Sequence, residues 1–352
     1  MAINGYIVEY IYSYNEACNR VRRTVLKEIV VTTKQAWIGF WILALIWGSS
    51  FLFIRIGVEH IPPFQLVFIR TGIAAIGLNI VVYLRGKRLP TDWKSIRDLL
   101  FLGIVNTVFP FALITWGETS IESGLASVLQ GTAALFTLVV AHFTFADERI
   151  TRRKLIGLVI GFIGLIVLAS RSTGEEVSSV DSTMHLLGQL AIVAASFCYA
   201  LGGAYSRKAM QNRLEPIVVA AGAMTVASIT TGIITYLSPA FGGQPVVMLN
   251  GLETRTLGAI LALGLVNTFV AYLIFYSLVS VLGAARASMI TYVIPAVGLV
   301  LGALFLGEQI DLLLIIGAIM IVGSIAIVNL NITSLFKRSS APTAKVVQDA
   351  AQ

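Results

Sequence analysis

Charge is what this chain has least of. Only 12% of its 352 residues are Asp, Glu, Lys or Arg, against roughly 25% in a soluble domain. Histidine is scarce too: His60, His142 and His185 lie far apart, in links or near the ends of apolar runs. Neither HExxH nor a paired Ser/His or Asp set is present, which removes the usual intramembrane proteases. The sequence contains no GxxxxGK[ST] loop, so ATP is not hydrolysed here. The two cysteines, Cys18 and Cys198, make neither a disulfide framework nor a CxxC pair. Cys198 is expected to pack as a small apolar side chain. Strict alternation of apolar and polar residues is also missing, and with it the signature of a β-barrel.

What is there is apolar. Hydrophobic residues make up 57% of the chain, and they come in runs near the ~20 residues that cross a bilayer as a helix. Ten spans are expected: 37–57, 64–84, 98–117, 123–145 and 154–170 in the first half. The second half has 187–206, 217–237, 256–278, 284–305 and 311–330. Residues 1–34 form an extension with its basic cluster after its apolar residues, the reverse of a signal peptide. Residues 171–186 link the halves, and 331–352 form a tail.

The net charge of +7 follows membrane orientation rather than a nucleic-acid surface. With a cytoplasmic N-terminus, twenty of the 25 lysines and arginines fall on the cytoplasmic side, which obeys the positive-inside rule. Both termini are then inside, as expected of a multi-pass protein of the cell (inner) membrane.

The chain is written twice. Leu102-Gly103-Ile104-Val105-Asn106-Thr107 returns as Leu263-Gly264-Leu265-Val266-Asn267-Thr268, and Ala126-Ser127 as Ala287-Ser288. After one deletion, Glu148 meets Glu308 and Gly157 meets Gly317. Five spans per half is an odd number, so the second copy enters the membrane the other way up. Its charge agrees: the link at 147–154 carries four cations and its echo at 307–311 carries none. The expected fold class is therefore all-α integral membrane, with ten transmembrane helices as two inverted-topology five-helix repeats, 35–170 and 187–330. Such repeats put a binding site between the halves and exchange conformations to give alternating access.

Particular residues extend this pattern. They are Trp47-Gly48-Ser49, Phe68-Ile69-Arg70, Gly124-Leu125-Ala126-Ser127 with Asp147-Glu148, Ala284–Ser288 with Tyr292-Val293-Ile294-Pro295, and Leu306-Gly307-Glu308. On these the chain resembles the EamA family of the drug/metabolite transporter superfamily, over about residues 37–330. The resemblance implies small-solute transport, often efflux of amino acids or related metabolites. It departs at Ala134, where the first repeat often has the proline that Pro295 supplies in the second, so a kink in span 4 is not expected from that position.

Polar groups deep in lipid are costly and mark sites. Arg70 lies about six residues into span 2, roughly 9 Å from its outer end. It either attracts an anionic group such as a carboxylate, or it snorkels, or pairs with Glu59 or Glu118 at the outer face. Asn106 and Asn267, on equivalent helices, either bond helix to helix or line a cavity. Trp47, Ser49, Gln130, Tyr199, Thr291 and Tyr292 are further pocket candidates, with Trp116 and Tyr272 behind them. Pro295 is a candidate hinge. Gly157, Gly161, Gly164, Gly298 and Gly302 have the spacing of helix-packing surfaces. Glu148 and Glu308 suit the N-terminal ends of spans 5 and 10, where a carboxylate meets the helix dipole.

No Asp or Glu falls mid-span, and a proton-coupled carrier usually has one there. The expectation is facilitated exchange, or coupling that uses no buried carboxylate. The function expected is transport, as efflux or exchange, of a small polar metabolite such as an amino acid. A channel or a lipid-modifying membrane protein without a recognisable catalytic set is the alternative. The partners expected are a small-molecule solute and membrane lipid, with a homodimer left open and nucleic acid not expected. No cofactor and no metal is expected.

Overall fold

The computed structural model describes residues 32–146, 148–170, 179–210 and 214–329. The N-terminal extension up to residue 31, the link at 171–178 and the tail from 330 lie outside the described residues, and so does Cys18. Those described are helical, with no strand among them.

In chain order the helices are α1 (Thr33–Val58), α2 (Pro63–Leu84), α3 (Trp93–Gly117), α4 (Ser123–Thr144) and α5 (Arg152–Ala169). Then follow α6 (Ser179–Met210), α7 (Pro216–Leu237) and α8 (Thr254–Leu282). The next, α9, is built in pieces, Ala284–Ala287, a 3₁₀ turn Ser288–Tyr292 and Ile294–Leu306; α10 is Leu312–Asn329. Their starts follow local chemistry. Thr32 makes a capping box with Gln35 ahead of α1, and Asp92 accepts the Ser95 N–H at 2.9 Å ahead of α3. Pro63 and Pro216 open α2 and α7, where a missing N–H costs nothing.

Eight of these helices are long and apolar enough to cross a membrane: α1 to α4 and α6 to α9. The other two expected spans are marginal for opposite reasons. Helix α5 spends its first turn on Arg152, Arg153 and Lys154, whereas α10 is apolar but short, over Leu312–Val328.

Helix packing has a two-fold character. Helix α2 lies along α7, α4 against α9, and α5 along α10. The pairs α3–α6 and α8–α1 also form, as do α4–α6 with α9–α1, and α2–α8 with α7–α3. Matching α1–α5 to α6–α10 in order carries each of these contacts onto itself or onto another of the set. The glycines expected to be packing surfaces are such surfaces: Gly157 and Gly164 of α5 face Ser324 and Val328, and Gly317 and Met320, of α10. A Cβ at any of them would strike the neighbour, so the close approach requires glycine.

The irregularities repeat as well. A π-helical stretch, Ile104–Val108, interrupts α3 around Asn106, and a longer one, Ala262–Val270, interrupts α8 around Asn267. Helix α9 is broken ahead of Ile294, with Pro295 in the first turn of its regular part. Helix α4 breaks too, between Gln130 and Thr132, although Ala134 is no proline. Gly131 turns there, its N–H bonding the Val128 carbonyl at 2.9 Å. A break in span 4 thus exists without the residue that would have announced it.

Candidate functional site

Arg70 lies in the interior. Its side chain projects from α2 and is 7% exposed, so it does not snorkel. Its Nε donates to Thr268 Oγ1 of α8 at 2.8 Å, and its guanidinium carbon sits 4.0 Å from the centroid of the Phe111 ring on α3. Thr268 in turn donates to the Leu263 carbonyl at 2.7 Å, which fixes the hydroxyl's lone pairs toward the arginine. A hydrogen bond from a charged donor is worth about 1.5–3 kcal/mol and a desolvated cation–π contact about 2 kcal/mol. Together they hold the charge in one place. The expected pairing with Glu59 or Glu118 is not among the ion pairs of the described residues; Glu59 instead meets Arg55 at 3.7 Å.

Tyr199 of α6 and Tyr272 of α8 stand within electrostatic reach of Arg70, and so does Glu118. From Tyr272 an aromatic wall runs along α8 to α1: Tyr272 to Tyr276 (6.0 Å between centroids), Tyr276 to Phe275 (5.8 Å), and Phe275 to Trp47 (5.3 Å). Helices α2, α3, α6 and α8 therefore meet around a buried cation, the aromatic row carries on from it to Trp47 of α1, and both halves contribute. Of the expected residues, Arg70, Tyr199, Tyr272 and Trp47 belong to this group.

The remaining candidates stand as follows. Asn267 bonds helix α8 to α1: its amide donates to the Ile46 carbonyl, and to Ser49 Oγ and Ser50 Oγ at 3.0 Å each. Ser49 is engaged in that junction and also donates to Ile46 at 2.8 Å. Asn106 occupies the matching place on α3, against Gly202 of α6, where a Cβ would strike its side chain. Asn267 thus bonds helix to helix, and Asn106 packs against the facing helix. Tyr292 donates to the Ile325 carbonyl of α10 at 3.3 Å, and Thr291 to Ser288 at 2.9 Å. Gln130 ends the first part of α4 with a buried Oε1 that finds no partner among the described residues. Trp116 is 40% exposed, as an interfacial tryptophan would be.

The two link glutamates serve partners other than those expected. Glu308 does cap a helix, but that of α4 rather than α10: its Oε1 accepts the Ser123 N–H at 2.7 Å and its Oε2 the Gly124 N–H at 2.8 Å. The start of α10 is served by Asp311, which accepts the Leu314 N–H at 2.8 Å. Glu148 does not cap α5 either. Thr151 does, while Glu148 reaches Lys154 at 3.7 Å and Arg207 of α6 at 3.3 Å.

Sequence reasoning offered Glu118 only as a partner for Arg70; it stands just beyond the last residue of α3. Its side chain is fully buried, and neither carboxyl oxygen has a hydrogen-bond partner among the described residues. Burial pushes its pKa well above the ordinary carboxylate value, and Glu308 adds to the rise, against a lowering by Arg55 and Arg70. Its backbone carbonyl accepts Arg55 Nη1 at 2.5 Å. Thr268 and Phe111 were missed, although Thr268 closes the repeated hexapeptide and so carried a signal. At the opposite end of α3, a cavity of about 520 Å³ opens between α3, α4 and α6, with Lys94, Arg97 and Lys208 among its lining.

The sequence model of the EamA-like transporter family matches this chain twice, over residues 35–170 and 186–330. An uncharacterized transporter of Archaeoglobus fulgidus is 30% identical over 292 residues, 83% of this chain and 98% of that one. A protein of Salmonella typhimurium named a probable amino-acid metabolite efflux pump is 26% identical, over 81% and 92% of the two chains. The uncharacterized inner membrane transporter YedA of Escherichia coli is 28% identical, over 76% and 82%. A crystal structure 19% identical in sequence superposes with a TM-score of 0.60 over 88% of this chain and the whole of that one, a likeness of fold alone.

Proposed function

Given that the chain belongs to the EamA-like transporter family and is a multi-pass membrane protein, we propose that it moves a small polar metabolite such as an amino acid across the inner membrane. Efflux or exchange is the direction we assign, by alternating access between repeats 35–170 and 187–330. All ten helices cross the membrane, α5 and α10 included, the second repeat is inverted relative to the first, and both termini are cytoplasmic. In support, the contacts among helices map onto one another when the two halves are exchanged. Relatives named transporters and amino-acid metabolite efflux pumps point the same way.

The observation that carries the substrate reading is the buried guanidinium of Arg70, held by Thr268 and Phe111 beside Tyr199 and Tyr272. Within a low-dielectric site a fixed cation attracts a carboxylate strongly, and aromatic walls accept the apolar remainder of the solute. A carrier that alternates must bind its solute between the halves, and Arg70–Thr268 is a contact between them.

The test is thermal stabilisation of the purified protein across a panel of amino acids and related carboxylates, since a bound solute raises apparent stability by mass action. A hit that Arg70→Gln abolishes in a protein that still folds supports the reading. Full affinity retained by that variant removes Arg70 from the site.

A further inference from the structure

Glu118 is a buried acid without an evident structural task. It lies at the end of α3 where, under the proposed orientation, the outer face is shut. Glu308 there clamps the start of α4, and Arg55 donates to the Glu118 carbonyl. Gly117 packs backbone to backbone against Gly188 of α6, so no water layer separates these elements. Arg55, Arg70 and Glu308 all act on the carboxyl electrostatically, yet it makes no ion pair among the described residues. Of the other charged groups around it, Glu59 is matched with Arg55 at 3.7 Å, and His185 of α6 with Glu122 at 3.6 Å.

An ionised carboxylate enclosed without a hydrogen bond is among the costliest arrangements a protein can hold, and the neutral acid is far cheaper. We propose that Glu118 is a proton-binding site of the carrier: the outer face closes over its protonated form and, on opening, returns the proton to outer-face water. The only bond made or broken is the carboxyl O–H, with water as donor and acceptor. Substrate release outward would then be followed by proton capture and closure, so outer pH gates the transport cycle although no net proton crosses the membrane. The absence of a mid-span acid argued against proton-driven transport, and a gate at a span end is compatible with that.

The sign follows from linkage. The closed form binds the proton more tightly than the open one, so closure is favoured as pH falls. Between the two pKa values the closed-to-open ratio drops up to about tenfold per pH unit as pH rises. The inference rests on the carrier reading for what the two states do. Its test uses no solute, so failure to find transport and failure to find proton linkage are separate results.

The experiment places spin labels at Thr119→Cys and Gln309→Cys, both exposed on the same face, in full-length protein lacking Cys18 and Cys198 and reconstituted into lipid vesicles. Distances are read from pH 5 to pH 9. The expected result is a short-distance population that declines as pH rises in the parent protein. Glu118→Gln holds that population at every pH, whereas Glu118→Asp, which keeps an ionisable group, still titrates. Glu308→Gln shifts the balance toward the long distance but leaves its pH dependence. A parent distribution indifferent to pH would overturn the inference. So would a Glu118→Gln variant that titrates as the parent does, or a response that disappears with Glu308→Gln alone.

Discussion

Glu308 and Ser123 stand 185 residues apart in sequence, and the carboxylate of one accepts the backbone N–H of the other at 2.7 Å. The bond ties the end of α9 to the first turn of α4, that is, the fourth helix of one half to the fourth helix of the other. A second oxygen takes the N–H of Gly124, so two amides that a helix start leaves open are satisfied by one side chain.

Removing that clamp should loosen the face it closes. Glu308→Ala is expected to lower stability by about 1–2 kcal/mol, the range for losing a helix N-cap. A fall in melting temperature measures it, and labels at Thr119 and Gln309 should report a longer mean distance. An unchanged melting temperature together with an unchanged distance would show that the clamp does not hold the face shut.

Arg70 and Thr268 give a graded series. Arg70→Lys keeps the charge but loses the planar fork and the Nε donor that meets Thr268. Ligand-induced stabilisation should weaken in the order wild type, Thr268→Val, Arg70→Lys, Arg70→Gln. A Lys variant equal to wild type would mean that charge alone matters and the Thr268 contact is incidental.

Asn267 should behave differently. Its amide serves Ile46, Ser49 and Ser50 on α1, and Asn267→Leu would leave those groups without their donor. The expected loss is about 1–3 kcal/mol of stability, read as a lower melting temperature, with the ranking of solutes in a stabilisation panel unchanged. A changed ranking would return Asn267 to the solute site.

The α5–α10 seam depends on small residues. At Gly161 a Cβ would meet Leu135 and Ser324 Oγ. Gly161→Leu should force the helices apart and cost about 1–3 kcal/mol as overpacking, again seen in the melting curve. The same change at Gly203, which has open space around it, should cost far less.

Much of this was legible in the sequence, and the reasons are specific. The repeated hexapeptide around Asn106 and Asn267 foretold equivalent helices, and the structure gives both the same π-helical interruption. Glycine spacing foretold that α5 packs closely on a neighbour, and the structure makes that neighbour α10. What the sequence could not show was which distant element each polar group would reach. Glu308 looked like the cap of the next helix, because local reading offers only local partners; its true partner lies across the molecule. Glu118 was legible only as a partner for Arg70, because its burial comes from tertiary packing, with α6 close against the neighbouring Gly117. The break in α4 was hidden because Gly131 makes it rather than a proline.

The claim beneath the whole account is that equivalent links of the two halves lie on opposite faces of the membrane. Single cysteines at Ala146 and Gln309, in protein lacking Cys18 and Cys198, can be probed in intact cells with a maleimide that does not cross the bilayer. The account predicts labelling of Gln309→Cys from outside, and of Ala146→Cys only after the membrane is opened. Both sites labelling from the same side would contradict it.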